Sequence, residues 1–234
     1  MASGGKLVVL AALGGNLAIA ATKFAAALIA GSSSMLTEGI HSAVDTLNEV
    51  LLLYGRERAE RPPDEQHPLG HARELYFWGF VVALLIFTGG AGFSLLEGIE
   101  HLRAPHMLDH PLVNFAVLAV AFIFESVSLL FALREFHRQR EPGDTWWTAL
   151  RNSKDPSVFV VMMEDLAALA GLIVAAAFIG ITVATGNPLW DSAGSIVIGL
   201  ILAAVAILLA TECKKLLIGE RASAALQQAI HDIA

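Results

Sequence analysis

Six long apolar stretches, most interrupted by one or more ionisable residues, constrain this chain more than any other feature. They cover about 7–30, 33–55, 75–99, 112–133, 157–184 and 190–217. A bilayer core of ~30 Å needs ~20 apolar residues per spanning helix, and each stretch meets that length. The first stretch is too long for a cleaved leader, carries Lys23 and is followed by further spans. Composition agrees: 56% of residues are hydrophobic and only 16% are charged, against roughly 25% charged in a soluble domain. The pattern predicts an all-α membrane protein with six transmembrane helices. It excludes a soluble enzyme, a disordered tail and a collagen-like chain.

Charge and cysteine content remove further classes. Fifteen Lys and Arg against 22 Asp and Glu leave a net charge of −7, which argues against nucleic acid as a partner. The single cysteine, Cys213, excludes a disulfide framework or a cysteine-based zinc module. No nucleotide loop or organic-cofactor motif occurs, and nothing resembles a catalytic nucleophile. A membrane-embedded metalloenzyme is the weaker alternative, and a sensor that binds metal without moving it is a third.

Orientation follows from the basic residues. With the N-terminus in the cytoplasm, every Lys and Arg lies inside except Arg103, which lies outside, and Lys23, which lies within a span. Both termini are therefore expected to be cytoplasmic. Residues 1–219 form the membrane domain on this reading, and 220–234 begin a cytoplasmic segment with the spacing of an amphipathic helix.

Charged groups inside hydrocarbon are costly, so each needs a partner or a task. Span two carries Glu38, His41, Asp45 and Glu49; span five carries Glu164 and Asp165. His41 and Asp45 are four residues apart, so they sit ~40° apart around a helix and ~6 Å along it. An imidazole nitrogen and a carboxylate oxygen converging on one point suit a transition metal, with zinc the first candidate. His41 and Asp45 lie roughly 12–18 Å along span two, and Glu164 and Asp165 roughly 14–15 Å along span five from the other side. The two pairs should meet near the midplane, where alternating-access transporters hold their cargo. Three carboxylates around one histidine repel unless a cation or protons intervene.

Other polar residues read differently. Lys23 and Glu38 lie near the joined ends of spans one and two, so an ion pair is expected between them. Glu125 in span four has no obvious partner, and a protonated core group, a proton carrier and a packing hydrogen bond all stay open for it. Glycines such as Gly14, Gly15, Gly89, Gly90 and Gly194 are expected to allow close helix approach. In the loop after span two, Asp64, His67 and His71 are spaced three and four apart, which supplies a surface metal site if the loop coils. His101, His106, Asp109 and His110 between spans three and four read as interfacial polar residues.

These residues together resemble the cation diffusion facilitator family of divalent-metal/proton antiporters. The resemblance rests on Gly31-Ser-Ser-Ser-Met35 and Glu38-Gly-Ile-His41-Ser-Ala-Val-Asp45. It rests also on Asp64-Glu-Gln-His67-Pro-Leu-Gly-His71, Glu164-Asp165 and Asn187-Pro-Leu-Trp-Asp191, and covers essentially the whole chain. The last two motifs look like the branch that includes the mitochondrial zinc exporter of animals. The resemblance implies a homodimer in which spans one, two, four and five surround the metal and spans three and six pack beside them. It implies His41, Asp45 and Asp165 as ligands, with Asp64, His67 and His71 as a second, cytoplasmic site. The family's remaining ligand falls at Val161, which cannot bind metal; Glu164, ~60° away on the helix surface, is the expected substitute. The family's ferredoxin-like domain should follow near residue 220; with the sequence running only to residue 234, that domain is expected to be lacking. The function implied is export of zinc, or of manganese, iron or cobalt, against protons. A bacterial inner membrane is the expected location.

Overall fold

The structure, a computed structural model, describes residues 2–30, 33–105, 111–139, 156–219 and 231–232. Six long helices carry the described residues: α1 (Ala2–Ala30), α2 (Ser33–Ala59), α3 (Glu74–Arg103), α4 (Pro111–Gln139), α5 (Pro156–Thr185) and α6 (Leu189–Ile218). No strand occurs among the described residues. The helices run up and down. One end of the bundle holds the 60–73 loop and is called here the loop end; the other holds the tight α5–α6 turn and is called the turn end.

The helix boundaries follow local chemistry. Pro111 and Pro156 open α4 and α5, where a missing N–H is harmless and the fixed φ is already helical. α5 stops at Gly186, whose φ of +67° is open to glycine, and its N–H donates to the Thr182 carbonyl at 2.8 Å. Asn187 Oδ1 then accepts from the Leu189 N–H at 3.0 Å and starts α6. Within α3, residues Ile86–Gly92 form a π-helical turn between two α-helical pieces. Its sequence, Ile-Phe-Thr-Gly-Gly-Ala-Gly, is weak in helix formers, which favours the wider turn.

Among the described residues, five helices are long and apolar enough to cross a membrane, and α2 is not one of them. The reason is its load of ionisable residues, since Asp45, Glu49, Arg56 and Arg58 all sit on it. Its packing is nonetheless that of its neighbours: α1 packs on α2 and α4, α4 on α5, and α5 on α6, while α3 packs on α2 and α6. The result is a ring in which α3 and α6 close the gap between α2 and α5.

The α3–α6 seam is very close. A Cβ on Gly98 would lie 2.7 Å from Ile196 Cγ1, and one on Gly199 would lie 2.8 Å from Leu95 Cγ. Gly194 faces Phe178 and Gly55 faces Trp78 just as tightly, at 2.9 and 2.6 Å. The expectation for Gly14 and Gly15 was different from what is found: a Cβ on either would meet nothing within 4 Å. Those two glycines face open space, so they bring no helices together.

The apolar core fills the loop-end half of the ring. It includes Val9, Leu52, Val82, Phe136, Leu209 and the run Val158–Met162. Large apolar side chains such as Leu84, Ile123, Ile173, Leu200 and Ile207 point outward, as expected of a surface that faces lipid.

Candidate functional site

The buried polar residues gather where the apolar core ends. A small cavity of ≈ 40 Å³ lies between the helices, lined by Asn16, Asp45, Asn48, Glu125, Glu164 and Asp165 among others. Asp45 and Asn48 come from α2, Glu164 and Asp165 from α5, and Glu125 from α4. The crossing of two antiparallel helices at matched depth brings them together, because each helix rises ~1.5 Å per residue from opposite ends.

The partners differ from residue to residue. Asn48 Nδ2 donates to Glu164 Oε1 at 2.8 Å, and Asn16 Nδ2 donates to Glu49 Oε1 at 2.7 Å. The Glu125 and Asp165 carboxyl groups lie close to each other. Such closeness favours a proton or a cation between them. Asp45 adds repulsion to Glu49, Glu125, Glu164 and Asp165 alike. Among the described residues of this cluster, Asn48 Oδ1, Glu49 Oε2, Glu164 Oε2 and Asp165 Oδ2 are buried without a hydrogen-bond partner.

A second, larger cavity of ≈ 210 Å³ extends from this centre toward the turn end. Asp45 and Glu125 line both cavities and so form the boundary between them. Glu97, His101 and Asp191 line its far part. Lys23 also lines it and donates to Ser42 Oγ at 2.9 Å. On the loop-end side, Leu52, Val158, Val161 and Leu209 belong to the packed apolar core.

Several sequence readings can now be placed. Asp45, Glu164 and Asp165 line one cavity. His41 lies on α2 one turn before Asp45, but its side chain falls outside the described residues, as does that of Glu38 and hence the expected Lys23–Glu38 pair. Val161 is fully buried in the apolar core, so this position holds the loop-end seal. Glu125, which had no obvious partner in the sequence, faces Asp165 and lies near Lys23. His101 lines the large cavity, whereas 106–110 lie outside the described residues, as does most of 220–234.

Two residues escaped the sequence reading. Asn48 was not singled out, and Glu49 was seen but given no task. Their spacing carried the signal: they follow Asp45 by three and four, which places both on its side of the helix.

The 60–73 loop does coil. Asp64 and His67 exchange backbone hydrogen bonds, and Asp64 Oδ1 also accepts from the N–H groups of Gln66 and His67 at 2.9 and 2.6 Å. Gly70, with φ of +78°, turns the chain so that His71 comes back over Asp64. His67 Nδ1 and His71 Nε2 then lie 3.0 Å from Asp64 Oδ1 and Oδ2, and the two rings are 4.3 Å apart. One donor atom from each of the three residues lies within 4.8 Å of the others, which is metal-ligand spacing. The hydrogen bond from His71, then that from the His67 backbone, lowers the Asp64 carboxyl to about 2.

A multi-helix membrane fold with carboxylates from several helices around an interior cavity defines a class, the polytopic ion-handling membrane proteins. Within it the assignment is specific: the chain belongs to the cation efflux family, whose transmembrane-domain model matches residues 9–218. That family consists of transporters, not enzymes. Among curated relatives, the mitochondrial proton-coupled zinc antiporter SLC30A9 of Xenopus laevis is 39% identical over 198 residues, 84% of this chain and 35% of that protein. The mouse protein of the same name is 39% identical over 197 residues, 83% of this chain and 35% of its own length. Metal tolerance protein C4 of Arabidopsis thaliana is 34% identical over 205 residues, 87% of this chain and 45% of that protein. The chain therefore spans about a third to a half of the length of these relatives.

Proposed function

We propose that this chain moves a divalent metal cation, zinc first, out of the compartment facing the loop end in exchange for protons. The observation that carries this reading is the Asp45, Glu164 and Asp165 cluster, drawn from two helices around one small cavity. The names of the antiporter relatives support zinc and protons as the exchanged species. A carboxylate-rich centre also accepts manganese, iron or cobalt, so these are the competing cargoes.

In this reading His41, Asp45 and Asp165 hold the metal, and Glu164 completes the set directly or through water. Metal arriving from the loop end meets Asp64, His67 and His71 first. It then displaces protons from the central carboxylates, whose mutual repulsion favours a cation. In this reading the large cavity is the exit route, and the packed apolar core lies on the entry side. Protons entering by that cavity compete for His41 and the carboxylates and release the metal. The reverse state requires the core around Leu52, Val161 and Leu209 to part. The glycine-lined α3–α6 seam is the rigid body against which the other helices rock.

The loop end faces the cytoplasm or its mitochondrial equivalent, since the basic residues concentrate there. The working unit is a homodimer in a membrane that holds a proton gradient. The test is metal flux in proteoliposomes, scanning zinc, manganese, iron, cobalt and cadmium while a dye follows internal pH. Zinc entry with matching proton exit supports the reading. Proton-independent uptake of every metal overturns the exchange.

A further inference from the structure

We infer that Lys23 is a fixed cation at the inner end of the large cavity, and that its charge loosens the centre's hold on metal and so speeds release toward the turn end. Lys23 is 7% exposed, and its Nζ donates to Ser42 Oγ at 2.9 Å. Ser42 follows His41 directly and precedes Asp45 by three residues, which puts it ~4–5 Å from Asp45 along α2 on the turn-end side. On α1, Asn16 lines the small cavity and Lys23 the large one. Seven residues separate them, so Lys23 lies about two turns, ~10 Å, further toward the turn end. The ammonium is thus beside the centre, on the side where the large cavity lies.

The charge at this position is the unusual feature. Among the described residues, Lys23 is the one Lys or Arg that lines either cavity, while Asp45, Glu97, Glu125 and Asp191 line the large one with it. Its charge reaches Glu125, which lies close to Asp165. A buried ammonium is costly, and an apolar side chain would pack α1 on α2 without that cost, so the charge asks for a task. Lys23 offers no lone pair as an ammonium, so it acts on a bound metal through its field and not as a ligand. A cluster of carboxylates alone holds a divalent cation strongly, yet passage requires a site weak enough to leave. A neighbouring positive charge weakens that hold twice over. It offsets the repulsion among the empty carboxylates, and it repels the metal itself. The direct repulsion is twice as large for a divalent ion as for a proton, so it favours replacement of metal by protons. The direction of release rests on the transporter reading; the effect on binding rests on charge alone.

Zinc is the probe. Its binding is titrated calorimetrically at pH 8, where few protons compete, with the full chain in lipid nanodiscs. A His67→Ala/His71→Ala background removes the loop cluster. Flux is measured beside it in proteoliposomes. Lys23→Met keeps the length of the side chain and removes the charge, and the Ser42 hydroxyl can turn to the carbonyl four residues back. This variant should bind zinc about tenfold more tightly than the parent, with a lower KM and a slower maximal flux. Lys23→Gln keeps an N–H donor for Ser42 and should shift binding the same way, which covers a Lys23→Met chain that does not fold. Lys23→Arg keeps the charge and should restore parental affinity and rate. A purely structural Lys23 predicts the opposite pattern, with both neutral variants less stable and no tighter for zinc. Folded neutral variants that bind zinc no more tightly than the parent therefore overturn the inference. A parent that binds no zinc in this background overturns both this inference and the central site. Tighter binding by the neutral variants, from a parent that moves no zinc, keeps the effect on binding and removes the transporter reading.

Discussion

Asn48 donates Nδ2 to Glu164 Oε1 at 2.8 Å, and this bond joins α2 to α5 across the interior of the bundle. These two helices carry the central carboxylates, so the bond fixes the distance between them. Replacing Glu164 by Gln keeps an oxygen acceptor for Asn48 but removes a charge. Replacing it by Ala removes both. We expect Glu164→Gln to retain the fold and lose transport by about tenfold, and Glu164→Ala to lose a further ~1–2 kcal/mol of stability through the orphaned amide. Thermal unfolding in detergent, read beside flux, separates the two effects.

Val161 tests whether the loop-end half of the bundle is a dry seal. It is fully buried among Val158, Val160 and Leu209. A carboxylate at this position enters the apolar core. Val161→Asp should destabilise the metal-free protein by more than ~2 kcal/mol, whereas Val161→Ile should stay within ~1–3 kcal/mol of the parent. A Val161→Asp chain as stable as the parent would show that this half is hydrated.

Glycine substitutions should divide sharply by position. A Cβ at Gly55 meets the Cβ of Trp78, which cannot swing aside, because Trp78 is also held by its Nε1 bond to Glu74 at 2.9 Å. Gly55→Ala should therefore cost ~1–3 kcal/mol. Gly14→Ala meets nothing and should be neutral, or stabilising by up to ~1 kcal/mol through helix propensity. Melting temperatures of the two variants check the contrast.

The loop cluster has a definite acid response. Asp64 is lowered to about 2, first by the hydrogen bond from His71. A carboxylate depressed in the folded state contributes stability that is present above its unfolded pKa of ~3.9 and lost as pH falls through its folded value. The window for this contribution is thus between about pH 4 and pH 2. Above it Asp64 is ionised throughout and available as an acceptor or ligand. Asp64→Asn should lower the zinc affinity of the loop at neutral pH by about tenfold or more, measured by titration with a zinc indicator. Zinc bound equally well by Asp64→Asn and its parent would contradict the assignment.

The sequence made some of this architecture legible for simple reasons. Long apolar runs and a Pro or Gly at their ends marked the helices, because those residues act locally. Equal depth on α2 and α5 predicted that Asp45, Glu164 and Asp165 would meet, since depth follows from counting residues. What stayed hidden depends on rotation and partners. Glu125 faces Asp165 only because α4 packs between α1 and α5, and no spacing within α4 reveals that. Asn48 and Glu49 gained meaning only when their free oxygens were seen. Gly55 and Gly98 mattered, and Gly14 did not, because close approach is decided by the neighbour across the seam. The 60–73 loop was readable in outline, but the turn at Gly70 that returns His71 to Asp64 is a backbone event.

The most direct test of the central claim is paired zinc flux and internal pH in proteoliposomes containing the parent chain or Asp45→Ala. The account predicts zinc entry with proton exit for the parent and neither signal, from a folded protein, for Asp45→Ala. Zinc flux of equal size in both, or zinc entry by the parent with no change of internal pH, would contradict it.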